Sequence, residues 1–92
     1  MMYDLTIDEI IAKAKLATNI ELNDFYAKKI LEDAEYIEIF RKVVYRYDRL
    51  NRLKNTNAPD LIIKNEEKIY KEAIFRFDEM ISQIHLANMK LK

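Results

Sequence analysis

Residues 70–91 read YKEAIFRFDEMISQIHLANMKL, and this stretch decides the fold. Tyr70, Ala73, Phe77, Met80, Ile84, Ala87 and Leu91 recur in alternating steps of three and four. That period lines one side of an α-helix and forms the seam of a left-handed coiled coil, whereas a half-buried strand alternates in steps of two. Ile74 and Ile81 add a flanking row. The helix therefore extends over about residues 58–91, because nothing upstream of Tyr70 interrupts it until Asn55-Thr56-Asn57-Ala58-Pro59-Asp60. In that turn Asn57 is read as the cap of the C-terminal helix, Pro59 as tolerated in its first turn, and Asp60 as complementing the N-terminal dipole.

On the other side of the turn, Ile20 to Lys54 contains neither glycine nor proline. The spacing predicts one long helix over about residues 19–54, opened by the capping pattern Thr18-Asn19-Ile20-Glu21. Its first half is acidic (Glu21, Asp24, Glu32, Asp33, Glu35, Glu38) and its second half basic (Arg41, Lys42, Arg46, Arg49, Arg52, Lys54), which suits the macrodipole. Thr6-Ile7-Asp8-Glu9 is a second capping box, with Leu5 and Ile10 placed as a hydrophobic staple, and it opens a short helix over about residues 7–17. The expected architecture is all-α and one domain over 1–92. It is a long antiparallel helical hairpin with a short N-terminal helix.

The apolar stripe on the second helix is wide. Tyr26, Ile30, Ile37, Phe40, Val44 and Tyr47 form its centre. Ile39, Val43 and Leu50 flank it on one side, and Leu31, Ala34 and Tyr45 on the other. A straight helix of 35 residues is about 52 Å long, against a radius of gyration near 12 Å for a compact chain of this size. Such a rod leaves part of its stripe in water, so the sequence predicts that a second copy covers it. The result is a four-helix-type bundle made by self-association, most simply a dimer.

Composition limits the chemistry. The chain has 92 residues, 16 Lys+Arg against 16 Asp+Glu, one histidine, one proline, and no glycine or cysteine. Without glycine there is no Walker loop, dinucleotide fingerprint or nucleophile elbow, since each needs backbone geometry that only glycine tolerates. Without cysteine there are no zinc knuckles, disulfides or thiol nucleophiles, and the composition fits a reducing, cytoplasmic setting. The acidic start and the short aliphatic runs predict neither a signal peptide nor a membrane span. Glu32, Glu35 and Glu38 step by three, but no histidine accompanies them as a di-iron centre in a bundle would require. They are read as a solvated face opposite Lys90 and Lys92. His85 stands beside the seam position Ile84 with no nucleophile or second ligand near it in sequence, and is read as a boundary residue. No catalytic, cofactor or metal site is expected.

The stretch Arg41–Lys54 carries six bases and one acid, interleaved with Tyr45 and Tyr47. Arg41, Lys42, Arg46, Arg49 and Arg52, with Tyr36, Tyr45 and Tyr47, are therefore the candidate binding residues. Tyrosines with wet tips suit a protein interface, and charged rims set orientation. The first reading is a small regulatory protein that binds a partner protein by a helix face. The alternative is a nucleic-acid-binding regulator using 41–54 as a phosphate-tracking stripe. In an antiparallel hairpin these bases lie beside Asp60, Glu66 and Glu67, which would neutralise them.

Overall fold

A computed structural model describes residues 5–90, and Leu91 and Lys92 lie outside the described residues. All regular structure among the described residues is helical: α1 (Ile7–Thr18), α2 (Asp24–Leu31), α3 (Ala34–Asn55) and α4 (Asp60–Lys90). The molecule measures 50 × 26 × 20 Å, and its length is that of α4, whose 31 residues span about 46 Å.

The capping box of α1 forms as its sequence reads. Thr6 Oγ1 accepts from Glu9 N at 3.2 Å, and Thr6 N donates to Glu9 Oε1 at 3.1 Å. Leu5 packs against the core from the staple position.

The single helix expected over 19–54 does not exist. Thr18 ends α1 rather than opening the next helix: its hydroxyl donates to Ala14 O at 2.7 Å and accepts from Ile20 N at 3.2 Å. Asn19 then takes the left-handed conformation at φ 63°. Residues 19–23 are not helical, and α2 starts from Asn23, whose Oδ1 accepts from Tyr26 N at 3.1 Å. A second break follows at Glu32 and Asp33. Asp33 is extended (φ −124°, ψ 119°), and its Oδ1 accepts from Glu35 N at 2.9 Å and Tyr36 N at 3.2 Å. A short acceptor side chain competes with helix continuation and caps the next helix instead.

The turn after α3 is a Schellman motif. Ala58 N donates to Leu53 O at 3.1 Å and Asn57 N to Lys54 O at 3.4 Å, with Asn57 left-handed at φ 57°. Asn57 thus closes α3 and does not cap α4. The carbonyl that starts α4 is that of Pro59, which accepts from Ile62 N and Ile63 N. Both left-handed positions fall on asparagine, the residue that tolerates them best in a chain without glycine.

α3 and α4 run antiparallel, with Phe40 against Phe77, Tyr47 against Tyr70 and Lys54 beside Glu67. The core is not spread along their length. Ile10 and Ala14 of α1, Leu22 of the link, Ala27 and Ile30 of α2, Ile37, Phe40 and Val43 of α3, and Phe77, Met80 and Ile84 of α4 form one buried cluster. Ala14 and Ala17 let α1 approach closely, and the Tyr70 hydroxyl donates to Ala17 O. Phe40, Val43 and Phe77 are at most 1% exposed in a single copy. Part of the stripe's width, which suggested a second copy, is covered by α1 and α2, while Tyr45 stays half exposed and Ile39 and Val44 are half-buried. The two breaks allow this by turning the expected rod into separate helices that pack on α3. The seam of α4 is half-buried at Tyr70 and Ala73 and buried from Phe77 through Ile84, but Ala87 is exposed because α3 begins only at Ala34, and α4 outruns it.

Candidate functional site

The second half of α3 and the first half of α4 have no helix over them comparable to α1 and α2, and here the predicted binding residues gather. On one side of the pair lies a groove of about 550 Å³, lined by Ile39, Lys42, Tyr45, Arg46, Ile69, Glu72, Ala73 and Arg76. Its floor is apolar (Ile39, Ile69, Ala73), and Tyr45, half exposed, stands at its wall. The Arg46 guanidinium lies 5.3 Å from the Tyr45 ring centroid, a cation–π contact that steadies the ring. Lys42, Arg46, Glu72 and Arg76 make a charged rim, in which Lys42 is paired with Glu38 and Arg46 with Glu66.

The structure separates the eight predicted residues. Lys42, Tyr45 and Arg46 line the groove, while Tyr45, Arg49 and Arg52 line a smaller adjoining cleft of about 300 Å³ with Leu53 and Thr56. Tyr47 turns inward, its ring centroid 6.2 Å from that of Tyr70, because position 47 falls on the core stripe between Val44 and Leu50. Tyr36 sits at the far end of α3, in a 120 Å³ cleft with Phe25, Lys29, Ile84, Ala87 and Asn88, away from the others. Arg41 is exposed and lines neither cleft. Ile69, Glu72, Ala73 and Arg76 were not legible as site residues, because only the antiparallel register of α4 on α3 brings them beside Lys42 and Tyr45.

Much of the basic charge on α3 is matched by its own chain. Glu66 is 8% exposed and lies between Arg49 Nε at 3.2 Å and Arg46 Nη1 at 3.5 Å. Its Oε1 has no partner in hydrogen-bond alignment, so the contact is electrostatic attraction rather than a directed fork. Lys54 pairs with Glu67 and Lys42 with Glu38, both at 3.7 Å. Glu66 and Glu67 thus pair with three of the six bases, Arg46, Arg49 and Lys54, as the antiparallel arrangement implied, whereas Asp60 forms no ion pair among the described residues.

The remaining candidates are structural. His85 Nδ1 lies 3.1 Å from the Tyr26 hydroxyl and ties α4 to α2 at the boundary where the sequence placed it. Burial, then the neighbouring Tyr47, push the Tyr70 phenol above its ordinary pKa. Glu38 is held by Lys42, and among the described residues none of Glu32, Glu35 and Glu38 pairs with Lys90. Among the described residues no group of three or more His, Cys, Asp and Glu side chains is placed to hold a metal ion, and no helix is long and apolar enough to cross a membrane.

One stretch of the chain is similar to a known protein. Over 37 residues it is 46% identical to the DNA-directed RNA polymerase subunit beta' of Syntrophobacter fumaroxidans and to that of Bdellovibrio bacteriovorus. The corresponding subunit of Cellvibrio japonicus is 43% identical over 37 residues. The match takes in 40% of this chain and spans 3% of the length of these curated relatives. A stretch of 37 residues is longer than everything up to the end of α2 at Leu31, so it includes part of α3 or α4. No protein-family model and no solved structure matches the chain.

Proposed function

We propose that this chain is a non-catalytic, regulatory binding module that docks on another protein of the transcription apparatus through the groove between α3 and α4. The observation that carries the reading is the groove itself: an apolar floor, a half-exposed tyrosine, and a charged rim on helices already anchored by a core at their other end. That composition suits an amphipathic helix, with the aromatic as anchor and the charged rim setting register. The partial likeness to a subunit of DNA-directed RNA polymerase supports a partner from that machinery and a cytoplasmic setting. The matching of Arg46, Arg49 and Lys54 by Glu66 and Glu67 favours a protein partner over nucleic acid at the α3 stripe, since phosphate tracking relies on unmatched cations.

The test is titration of the purified chain against the RNA polymerase of the same cell and, separately, against each of its dissociable protein components. Binding in the micromolar range or tighter to one of them is expected. Lys42→Glu combined with Tyr45→Ala weakens it about tenfold or more, as loss of an aromatic anchor does, with helicity unchanged. Absence of binding to every component, or binding indifferent to both substitutions, contradicts the proposal.

A further inference from the structure

We propose that the outer face of α4, the row Lys64, Lys68, Lys71 and Phe75, is a binding site for single-stranded nucleic acid, separate from the groove assigned to a protein. The four positions follow steps of four, three and four, so they fall on one stripe of the helix, and all four are exposed. The row is about 16 Å long, comparable to about five nucleotide steps at duplex spacing.

Pairing sets this face apart from α3. Lys42, Arg46, Arg49 and Lys54 all have carboxylate partners within the chain. Among the described residues Lys64, Lys68, Lys71 and the adjacent Arg76 form no ion pair. Glu72 is the acid beside them and Glu67 is engaged by Lys54, while Asp60 stands one turn before Lys64 and Asp78 and Glu79 one turn after Phe75. The alternative reading of the sequence places a phosphate-binding stripe on α3, where Arg52 stands without an ion pair among the described residues; on α4 three lysines without ion pairs share one stripe.

The aromatic decides between anionic partners. Phe75 is 62% exposed and borders a shallow cleft of about 490 Å³ with Lys68, Lys71, Glu72 and Arg76, in which it is the only apolar side chain. A partner helix needs a row of apolar contacts, which this face lacks. A nucleotide base needs one flat face to stack on and cations beside it for the backbone, which is what this face offers. The site shares only Glu72 and Arg76 with the groove between α3 and α4.

The experiment is fluorescence anisotropy with labelled oligothymidylate and oligouridylate, read at about 50 mM and about 200 mM salt. Neutralising three to four phosphates predicts affinity falling about 20- to 50-fold between those salts. Phe75→Ala lowers affinity at least about fivefold, the loss expected from removing one stacked base. Lys68→Glu with Lys71→Glu abolishes binding, while Lys42→Glu with Tyr45→Ala leaves it within about twofold. Circular dichroism confirms that each variant is folded, and the Lys68, Lys71 variant keeps its binding to the protein partner. The proposal is overturned by no binding at about 50 mM salt with about 100 μM chain, the weak end of non-specific affinity. It is equally overturned by binding that survives the Lys68, Lys71 reversal, or by polyglutamate competing as well as unlabelled oligothymidylate.

Discussion

The two ends of the α3–α4 pair are built on different physics. At the end holding Phe40, Phe77, Met80 and Ile84, α1 and α2 close a cluster of fully buried side chains. At the end holding Leu53, Leu61 and Ile62, two helices face water, joined by a Schellman turn and by Glu66 set between two arginines. The first end is stabilised by apolar burial, and the second by charge and by its continuity with the first. A core concentrated at one end of the pair thus leaves the other end of two helices uncovered.

Substitutions can break that comparison. Phe77→Ala empties the centre of the core and costs about 3–5 kcal/mol, a large share of the stability of a small domain, read by urea denaturation. Glu66→Ala acts on the other end. It removes the buried partner of Arg46 and Arg49, whose side chains can then swing into water, so the loss is about 1 kcal/mol. High salt leaves most of that loss in place, because Glu66 is buried. Asp33→Ala deletes the cap of α3 and costs about 1 kcal/mol, with a chemical-shift change confined to residues flanking the α2–α3 break.

Smaller effects sharpen the boundary between the ends. The fold favours the neutral Tyr70 phenol, whose pKa is raised, so its contribution is fully present below about pH 10. It is lost as pH rises above that, and Tyr70→Phe flattens this alkaline decline, as equilibrium unfolding across pH will show. Leu61→Ser, at a residue 79% exposed on the tip, shifts stability by less than about 0.5 kcal/mol.

Helix type and core identity were legible because they rest on periodicity. Phe77, Met80 and Ile84, and Ile37, Phe40 and Val43, were all on the stripes read from the residues. The breaks were less legible because their signals are single polar side chains. Asn23 and Asp33 look like ordinary solvent positions until their carbonyl and carboxylate oxygens are seen capping α2 and α3. The stretch Thr18-Asn19 fits the start of one helix and the end of another equally well, and burial of Leu22 in the link selected the second. An unbroken rod exposes more of the stripe than the broken one does, because the two caps let α1 and α2 cover part of it. Of the site, Lys42, Tyr45 and Arg46 were accessible from composition, whereas Ile69, Ala73 and Arg76 depend on register across the turn. Tyr47 shows how an interface residue type on a core stripe serves the core.

The division between the two ends is tested most directly by residue-resolved native-state hydrogen exchange on the chain at a concentration where its molar mass is measured in parallel. The account predicts a mass of 11.1 kDa, amides of 37–43 and 77–84 exchanging only through global unfolding, and amides of 51–66 exchanging through local opening. A mass of twice that value, with protection as strong at the tip as beside Phe40 and Phe77, would contradict it.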